Sequence, residues 1–342
     1  MEHIEVLGLS FIEFTGSRPN LLRALFQQMG LSMLKSNVDE QITLHHQGDI
    51  HFVSNPSTSG NVLKFREVHG RGASAMGFIV RDAKAAHATA IKLGAEPAES
   101  TNYPLPAIHG IGQSLIYFVD EAGSNSFFEP FGYRNTGKKP EKTATNLCAV
   151  DHLTHNLNPG GIEKYKTFYG RLFGFQSVRS FLIEGKKTGL YSEVIMSPSG
   201  EVIIPLNETR DEKSQIAEFI REYNGEGIQH IALRSSDIYE TVGTLTKSGI
   251  EFQDTPDTYY ELLAARLPSH GEPLDKLKAL RILVDGGESQ GGGYLLQIFT
   301  KNSVGPIFFE YIQRKGNNGF GEGNFQALFE SIELDQERRG VI

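Results

Sequence analysis

Three residues in the second half of this 342-residue chain carry the strongest chemical signal: His152, His230 and Glu310, each inside a strand-like run. Two neutral imidazoles and one carboxylate, with the rest of the coordination sphere open, are the ligand set of a non-haem Fe(II) oxygenase. An internal repeat is what singles them out. Gly77-Phe78-Ile79-Val80, followed by a helical stretch to Gly94, matches His230-Ile231-Ala232-Leu233, followed by a helical stretch to Gly249. Leu9, ahead of a helix reaching Gly30, matches His152, ahead of a helix reaching Gly174. Ser126-Phe127-Phe128-Glu129 reads as a strand ending the first half and matches Ile307-Phe308-Phe309-Glu310. Only the second half collects both histidines and the carboxylate, so it is expected to be catalytic and the first half to be scaffold.

Other eye-catching residues have plainer readings. His155 follows His152 by three positions, and strand alternation turns it to the opposite face, where it is a supporting or surface group. His45, His46 and His51 flank Gln47-Gly48-Asp49 and read as a hairpin with polar strand ends. Glu129 has no histidine partners and precedes Pro130, which suits a capping role. Gly319, Gly321 and Gly323 follow a G-x-G-x-G spacing with no βαβ unit before them, so they read as a flexible approach to a helix rather than a dinucleotide loop.

The elements that must position the triad can be sketched from periodicity. In the second half the patterns predict strands near 149–157, 189–196, 201–207, 228–234, 279–285, 294–300 and 307–313, with helices near 160–173, 211–223, 236–248 and 324–338. The helix at 236–248 opens after Ser236-Asp237, good N-cap residues, and stops at Gly249. The last helix places Phe325, Leu328, Phe329 and Ile332 on one face and is expected to cover the mouth of the site. A polar, Gly- and Pro-broken stretch over 137–147 reads as a linker between a non-catalytic unit, 1–136, and a catalytic unit, 148–342.

Composition excludes several function classes. The formal net charge is −8 and no Lys/Arg run appears, which argues against nucleic-acid binding. The single cysteine, Cys148, excludes an internal disulfide and points to a reducing, cytoplasmic setting. No window approaches the ~20 apolar residues of a membrane span, and Met1-Glu2-His3-Ile4-Glu5 is no signal peptide, so a soluble protein acting on a small molecule is expected.

A strand, a helix and further strands, paired within each half, resemble the βαβββ modules of the vicinal oxygen chelate (glyoxalase-like) superfamily. The implied fold class is α+β, with two tandem domains of open, cupped mixed sheets. A closer likeness spans the chain. Gly305-Pro306-Ile307-Phe308-Phe309-Glu310-Tyr311-Ile312-Gln313-Arg314-Lys315-Gly316, then Gly319-Phe320-Gly321-Glu322-Gly323-Asn324-Phe325 and Leu328-Phe329-Glu330, resemble the 4-hydroxyphenylpyruvate dioxygenase family in its shorter bacterial form. Asn224-Gly225-Glu226-Gly227-Ile228-Gln229-His230, Pro256-Asp257-Thr258-Tyr259-Tyr260 and Leu295-Leu296-Gln297-Ile298-Phe299 extend the likeness.

The resemblance implies one Fe(II) per chain on His152, His230 and Glu310. It implies a polar substrate wall of Ser192, Asn207, Gln215, Gln229 and Gln297, and a wall facing the aromatic ring of Phe299, Phe308, Phe320, Asn324 and Phe325. The implied reaction takes 4-hydroxyphenylpyruvate and O2 to homogentisate and CO2, by decarboxylation, ring hydroxylation and side-chain migration, a step of tyrosine and phenylalanine catabolism. A dimer or tetramer is also implied. The nearest alternative is 4-hydroxymandelate synthase, which hydroxylates the benzylic carbon; that branch carries a smaller aliphatic residue where this chain has Phe325. Others are a metal-dependent lyase, which needs a fourth protein ligand, and a binding module of the same fold.

Overall fold

The computed structural model describes residues 3–121, 124–134, 144–184, 189–328 and 338. The first half runs β1 (Gly8–Thr15), α1 (Pro19–Gln28), β2 (Ser32–Lys35), β3 (Thr43–Gln47), β4 (Ile50–Ser54), α2 (Gly60–His69), β5 (Gly72–Val80), α3 (Ala83–Lys92), β6 (Ala107–His109), β7 (Leu115–Asp120) and α4 (Ser124–Phe128). The second half runs β8 (Leu147–Leu157), α5 (Gly161–Phe173), β9 (Gln176–Glu184), β10 (Gly189–Met196), β11 (Ile203–Glu208), α6 (Gln215–Glu222) and β12 (Gly227–Ser235). It continues through α7 (Ile238–Lys247), α8 (Asp257–Arg266), α9 (Leu274–Leu280), β13 (Leu283–Gly286), β14 (Tyr294–Phe299) and β15 (Phe308–Lys315). A further helical stretch covers 322–328.

The strands form two sheets, β2-β3-β4-β1-β5-β7-β6 and β13-β14-β15-β12-β8-β11-β10-β9. Seven strands of the second correspond, one for one and in the same sense, to the seven of the first, with β13 added at one edge. In both, the two central strands are antiparallel and each has a parallel outer neighbour: β4 beside β1 and β7 beside β5, then β11 beside β8 and β15 beside β12. The fold is α+β with mixed sheets, as the sequence implied. Among the described residues no helix is long and apolar enough to cross a membrane.

Local sequence explains the helices that back the sheets. In α5 the residues Ile162, Tyr165, Tyr169, Leu172 and Phe173 are buried, and Gly174 ends the helix at φ 69, where its N–H reaches the Gly170 carbonyl. The Asp237 side chain caps α7 by accepting from the Glu240 N–H. One apolar core joins the halves, with Phe309 of β15 beside Phe14 of β1 and Phe52 of β4. His69 of α2 spans the join, its ring nitrogens each 2.7 Å from a backbone carbonyl, Tyr223 O on one side and Gly112 O on the other.

Several expectations need correction. Ser126-Phe127-Phe128-Glu129 is not a strand: α4 and a 3-10 turn over Glu129–Phe131 occupy it. The counterpart of β15 by sheet position is β7, so Glu129 is no copy of Glu310. The strand expected at 279–285 begins only at Leu283, because α9 runs to Leu280 and Arg281 turns left-handed at φ 57. Strand β9 and helices α8 and α9 went unread. The expected linker lies largely, and the expected last helix partly, outside the described residues. The histidine hairpin is present as β3 and β4, but His45 and His51 are buried in it.

Candidate metal centre

The triad converges because three neighbouring strands bring it into adjacent rows. His152 on β8 stands across from Ala232 on β12, which stands across from Glu310 on β15. His230 stands one row along, across from Thr154 and from Phe308. The side-chain ligand atoms of His152, His230 and Glu310 all lie within 4.8 Å of one another. Glu310 Oε2 is 3.2 Å from His152 Nε2 and 3.5 Å from His230 Nε2. Ligand atoms bound at about 2.0–2.2 Å and at right angles sit about 3 Å apart, so the spacing fits one divalent cation. No fourth His, Cys, Asp or Glu joins the group among the described residues.

Two β-bulges orient the imidazoles. The register of β8 against β12 slips between Ala232 and Leu233, where Asp151 is the extra residue, and between Ile228 and His230, where Gln229 is extra. A bulge re-aims the inserted side chain. Asp151 accepts from His152 Nδ1 at 2.9 Å, and Gln229 Oε1 accepts from His230 Nδ1 at 2.9 Å. Both Nε2 atoms therefore face Glu310, and the Thr154 hydroxyl lies 2.9 Å from that of His230. Holding the far nitrogen of a ligating histidine fixes its tautomer and ring plane.

Asp151 is itself anchored, since Arg314 donates to both of its oxygens at 2.7 and 2.9 Å and Arg234 donates to Oδ2 at 3.0 and 3.1 Å. Against burial, which favours the neutral acid, His152 and Arg314 hold Asp151 far below the ordinary carboxylate range. Burial also opposes a charge on His152, but hydrogen bonds to Asp151 and Glu310 outweigh it and hold the ring up at about 9. Glu310, fully buried between the two imidazoles, is drawn down to about 2 despite its burial. Burial lowers His230, with Glu310 offsetting part of the effect. The cluster thus keeps an ionised carboxylate in a dry place and a proton where a cation would sit.

The residues expected in the pocket sort into three groups. Ser192, Asn207, Phe299, Phe320 and Phe325 line the cavity at the triad, together with Thr154, Phe181, Leu190 and Pro205. Gln229, Gln297, Phe308 and Asn324 lie just behind it. Phe308 stacks on the His230 ring at 4.9 Å and 18°. Gln297 donates to Glu310 Oε1 at 3.1 Å and accepts from Asn324 Nδ2 at 2.9 Å, while Asn324 Oδ1 accepts from the Tyr259 hydroxyl at 2.6 Å. Gly321 permits this approach: at φ +78, any side chain there would strike the Gln297 amide. Gln215 stands apart, exposed on the first turn of α6 and not brought to the cavity.

The cavity measures about 40 Å³, well below the ~300 Å³ at which small-molecule sites begin. Sequence reasoning missed Asp151, because no local pattern announces a bulge. It missed Phe181 because β9 went unread: Ser177 to Ile183 shows no apolar–polar alternation.

The chain is similar to several known proteins. The family described as hydroxyphenylpyruvate dioxygenase, N-terminal, matches residues 2–130, and the glyoxalase/bleomycin resistance protein/dioxygenase superfamily matches residues 149–266. A 4-hydroxyphenylpyruvate dioxygenase of Legionella pneumophila is 50% identical over 98% of this chain and 96% of its own. One from Pseudomonas aeruginosa is 47% identical over the same shares of the two chains. The solved structure of a triple mutant of 4-hydroxymandelate synthase from Streptomyces coelicolor superposes with a TM-score of 0.79 over 97% of this chain and 99% of its own, at 23% identity, and shows the shared fold.

Proposed function

The chain belongs to the 4-hydroxyphenylpyruvate dioxygenase family, and from that premise we propose that it converts 4-hydroxyphenylpyruvate and O2 to homogentisate and CO2 with one Fe(II) per chain. The observation that carries the reading is the compact triad of His152, His230 and Glu310, with no fourth ligand among the described residues, at the wall of an aromatic cavity. A lyase of this fold would want that fourth ligand, and a binding module would have no use for two bulges that aim imidazoles at one point.

Bound to the triad, Fe(II) supplies redox chemistry with O2 and a Lewis-acidic anchor for a keto acid. The chain's residues do the rest. His152 gives up its proton when a cation takes its place, and Asp151 keeps the ring aimed. Gln297 holds the second oxygen of Glu310, so that carboxylate offers the cation one defined oxygen. Phe299, Phe320 and Phe325 form an apolar slot for the ring, exclude water and present no group that reacts readily with an oxidant. Ser192 and Asn207 supply neutral hydrogen bonds for the substrate's polar ends without altering the charge at the cation. Gln215, exposed on α6 and away from the cavity, would reach the substrate only if α6 shifts. We assign the non-catalytic unit to 1–136, the linker to 137–147 and the catalytic unit to 148–342, and place the enzyme in the cytoplasm as a dimer or tetramer.

The test is anaerobic loading with Fe(II), then addition of 4-hydroxyphenylpyruvate and O2, with products separated by chromatography and both gases followed. One CO2 per O2 with homogentisate is expected. Hydroxymandelate would assign the chain to the sister activity, and iron binding without turnover would overturn the reading.

A further inference from the structure

Asn156 of β8 lies on the cup side of the sheet, because alternation from His152 through Thr154 is unbroken: the nearer bulge inserts its residue in β12, not β8. It is completely buried, and neither Oδ1 nor Nδ2 has a hydrogen-bond partner. Its cross-strand neighbour on β11 is Asn207, whose own neighbour on β10 is Ser192. Asn207 and Ser192 both line the cavity, and Ser192 Oγ is likewise buried without a partner. Three polar side chains thus form one row across β8, β11 and β10. A buried amide with both ends unpaired is costly to the fold, and an apolar residue of the same size would fold at least as well.

We propose that Asn156 is a positioning residue: on substrate binding its amide, unpaired in the free protein, takes that of its cross-strand neighbour Asn207 as partner and holds Asn207 against the ring hydroxyl of the substrate. This rests on the reaction proposed above. With the keto acid at the metal, the one polar group left on 4-hydroxyphenylpyruvate is the hydroxyl at the far end of the ring. The polar row stands two residues beyond Thr154 and four beyond His152 along β8, roughly 7 and 13 Å at about 3.3 Å per residue. That is the end of the cup where the ring hydroxyl would lie. Asn207 can accept from one side and donate to the other, so an amide behind it selects its orientation.

Phenylpyruvate, the same keto acid without the ring hydroxyl, separates positioning from structure. Asn156→Leu in the Fe(II)-loaded enzyme is expected to keep its iron and its Tm. Its kcat/KM for 4-hydroxyphenylpyruvate should fall at least tenfold and that for phenylpyruvate less than twofold, so discrimination drops at least fivefold. Equal losses on both keto acids, or no loss on either, overturn the proposal. Should Asn156→Leu not fold, Asn156→Ser gives the same two readings, and if neither variant folds Asn156 is structural and the proposal falls. A wild-type enzyme that makes no homogentisate is a separate result, which takes down the reaction itself and this role with it.

Discussion

In the second cup the strands β8, β12 and β15 present His152, His230 and Glu310 to a common point; in the first, β1 and β7 present the rings of Phe11 and Tyr117 and β5 only Gly77 and Ala75. Phe11 of β1 stacks on Phe127 at 4.1 Å and packs against Tyr103 and Tyr117. Its ring lies over Gly77, so near that a Cβ added there would come within 2.4 Å of it. The first cup is therefore plugged: in register with its twin, Phe11 stands where His152 does, Tyr117 where Glu310 does and Ala75 where His230 does. Both central strand pairs carry bulges. In the first half the extra residue Ser74 donates to the buried Glu13 at 2.7 Å, whereas in the second Asp151 and Gln229 hold imidazoles. The same device, filled with different residues, stabilises an apolar plug in one half and aims a metal site in the other.

The comparison breaks most sharply at the carboxylate. Glu310→Ala removes one of three ligands and is expected to abolish stoichiometric iron binding and lower kcat at least 10³-fold. Glu129→Ala, on the turn that only resembles β15 in sequence, should leave both unchanged. Retained turnover in the first variant, or lost turnover in the second, would show the two cups to be wrongly distinguished. Asp151→Asn is the next step down. Losing the charge that holds His152 should weaken Fe(II) affinity by about 10–100-fold, as loss of an orienting partner does elsewhere. An anaerobic titration of the apo-protein measures it, and an unchanged affinity would mean that the bulge orients nothing.

The plug can be tested from the other side. Gly77→Ala forces a methyl group into the Phe11 ring and should cost about 1–3 kcal/mol, as overpacking does. A drop in Tm of several degrees is expected, with iron affinity unaltered, since the strain falls wholly in the first half. A Tm equal to wild type would show that the plug yields and that its packing does not close the cup.

How much of this was legible beforehand follows from the range of each signal. The triad could be read because its residue types are rare in strands, although the sequence match set the halves out of step: by the bulged registers the counterparts of His152 and His230 are Phe11 and Ala75, not Leu9 and Gly77. Strand and helix periods gave α5, α7, β12 and β15, whose ends are marked by Gly174, Asp237 and Gly249. Register was not legible. Ser126-Phe127-Phe128-Glu129 copies a strand in composition, yet Pro130 and Gly132 shorten it to helical turns, and the apolar residues then point into the plug instead of along a sheet. Nor could Asp151 be separated from an outward-facing neighbour of His152, since alternation predicts that orientation and only the bulge reverses it. Asn156 was hidden for a related reason: what marks it is a row across three strands, a property of pairing and not of any local stretch.

The smallest effect compares the two buried carboxylates. Glu13 sits among neutral donors: the Tyr103 hydroxyl, the Asn55 amide at 2.7 Å and the Ser74 hydroxyl at 2.7 Å. Burial outweighs these hydrogen bonds and raises its pKa above the ordinary 4.5, whereas the imidazoles beside Glu310 draw that group down to about 2. The folded first half therefore binds the Glu13 proton more tightly than the unfolded chain does. Its contribution to stability is complete below about 4.5 and is lost as pH rises through the raised value. Glu310 behaves oppositely, contributing above 4.5 and losing that contribution as pH falls towards about 2. Glu13→Gln removes the titration while keeping the shape. Its Tm should gain on that of wild type as pH rises from 4 to 8, on the scale of the 2–4 °C that 1 kcal/mol makes in a domain of 150–250 residues. A difference that stays constant over this range would mean that Glu13 is ionised in the folded protein throughout, and that the first cup, like the second, stabilises a buried charge.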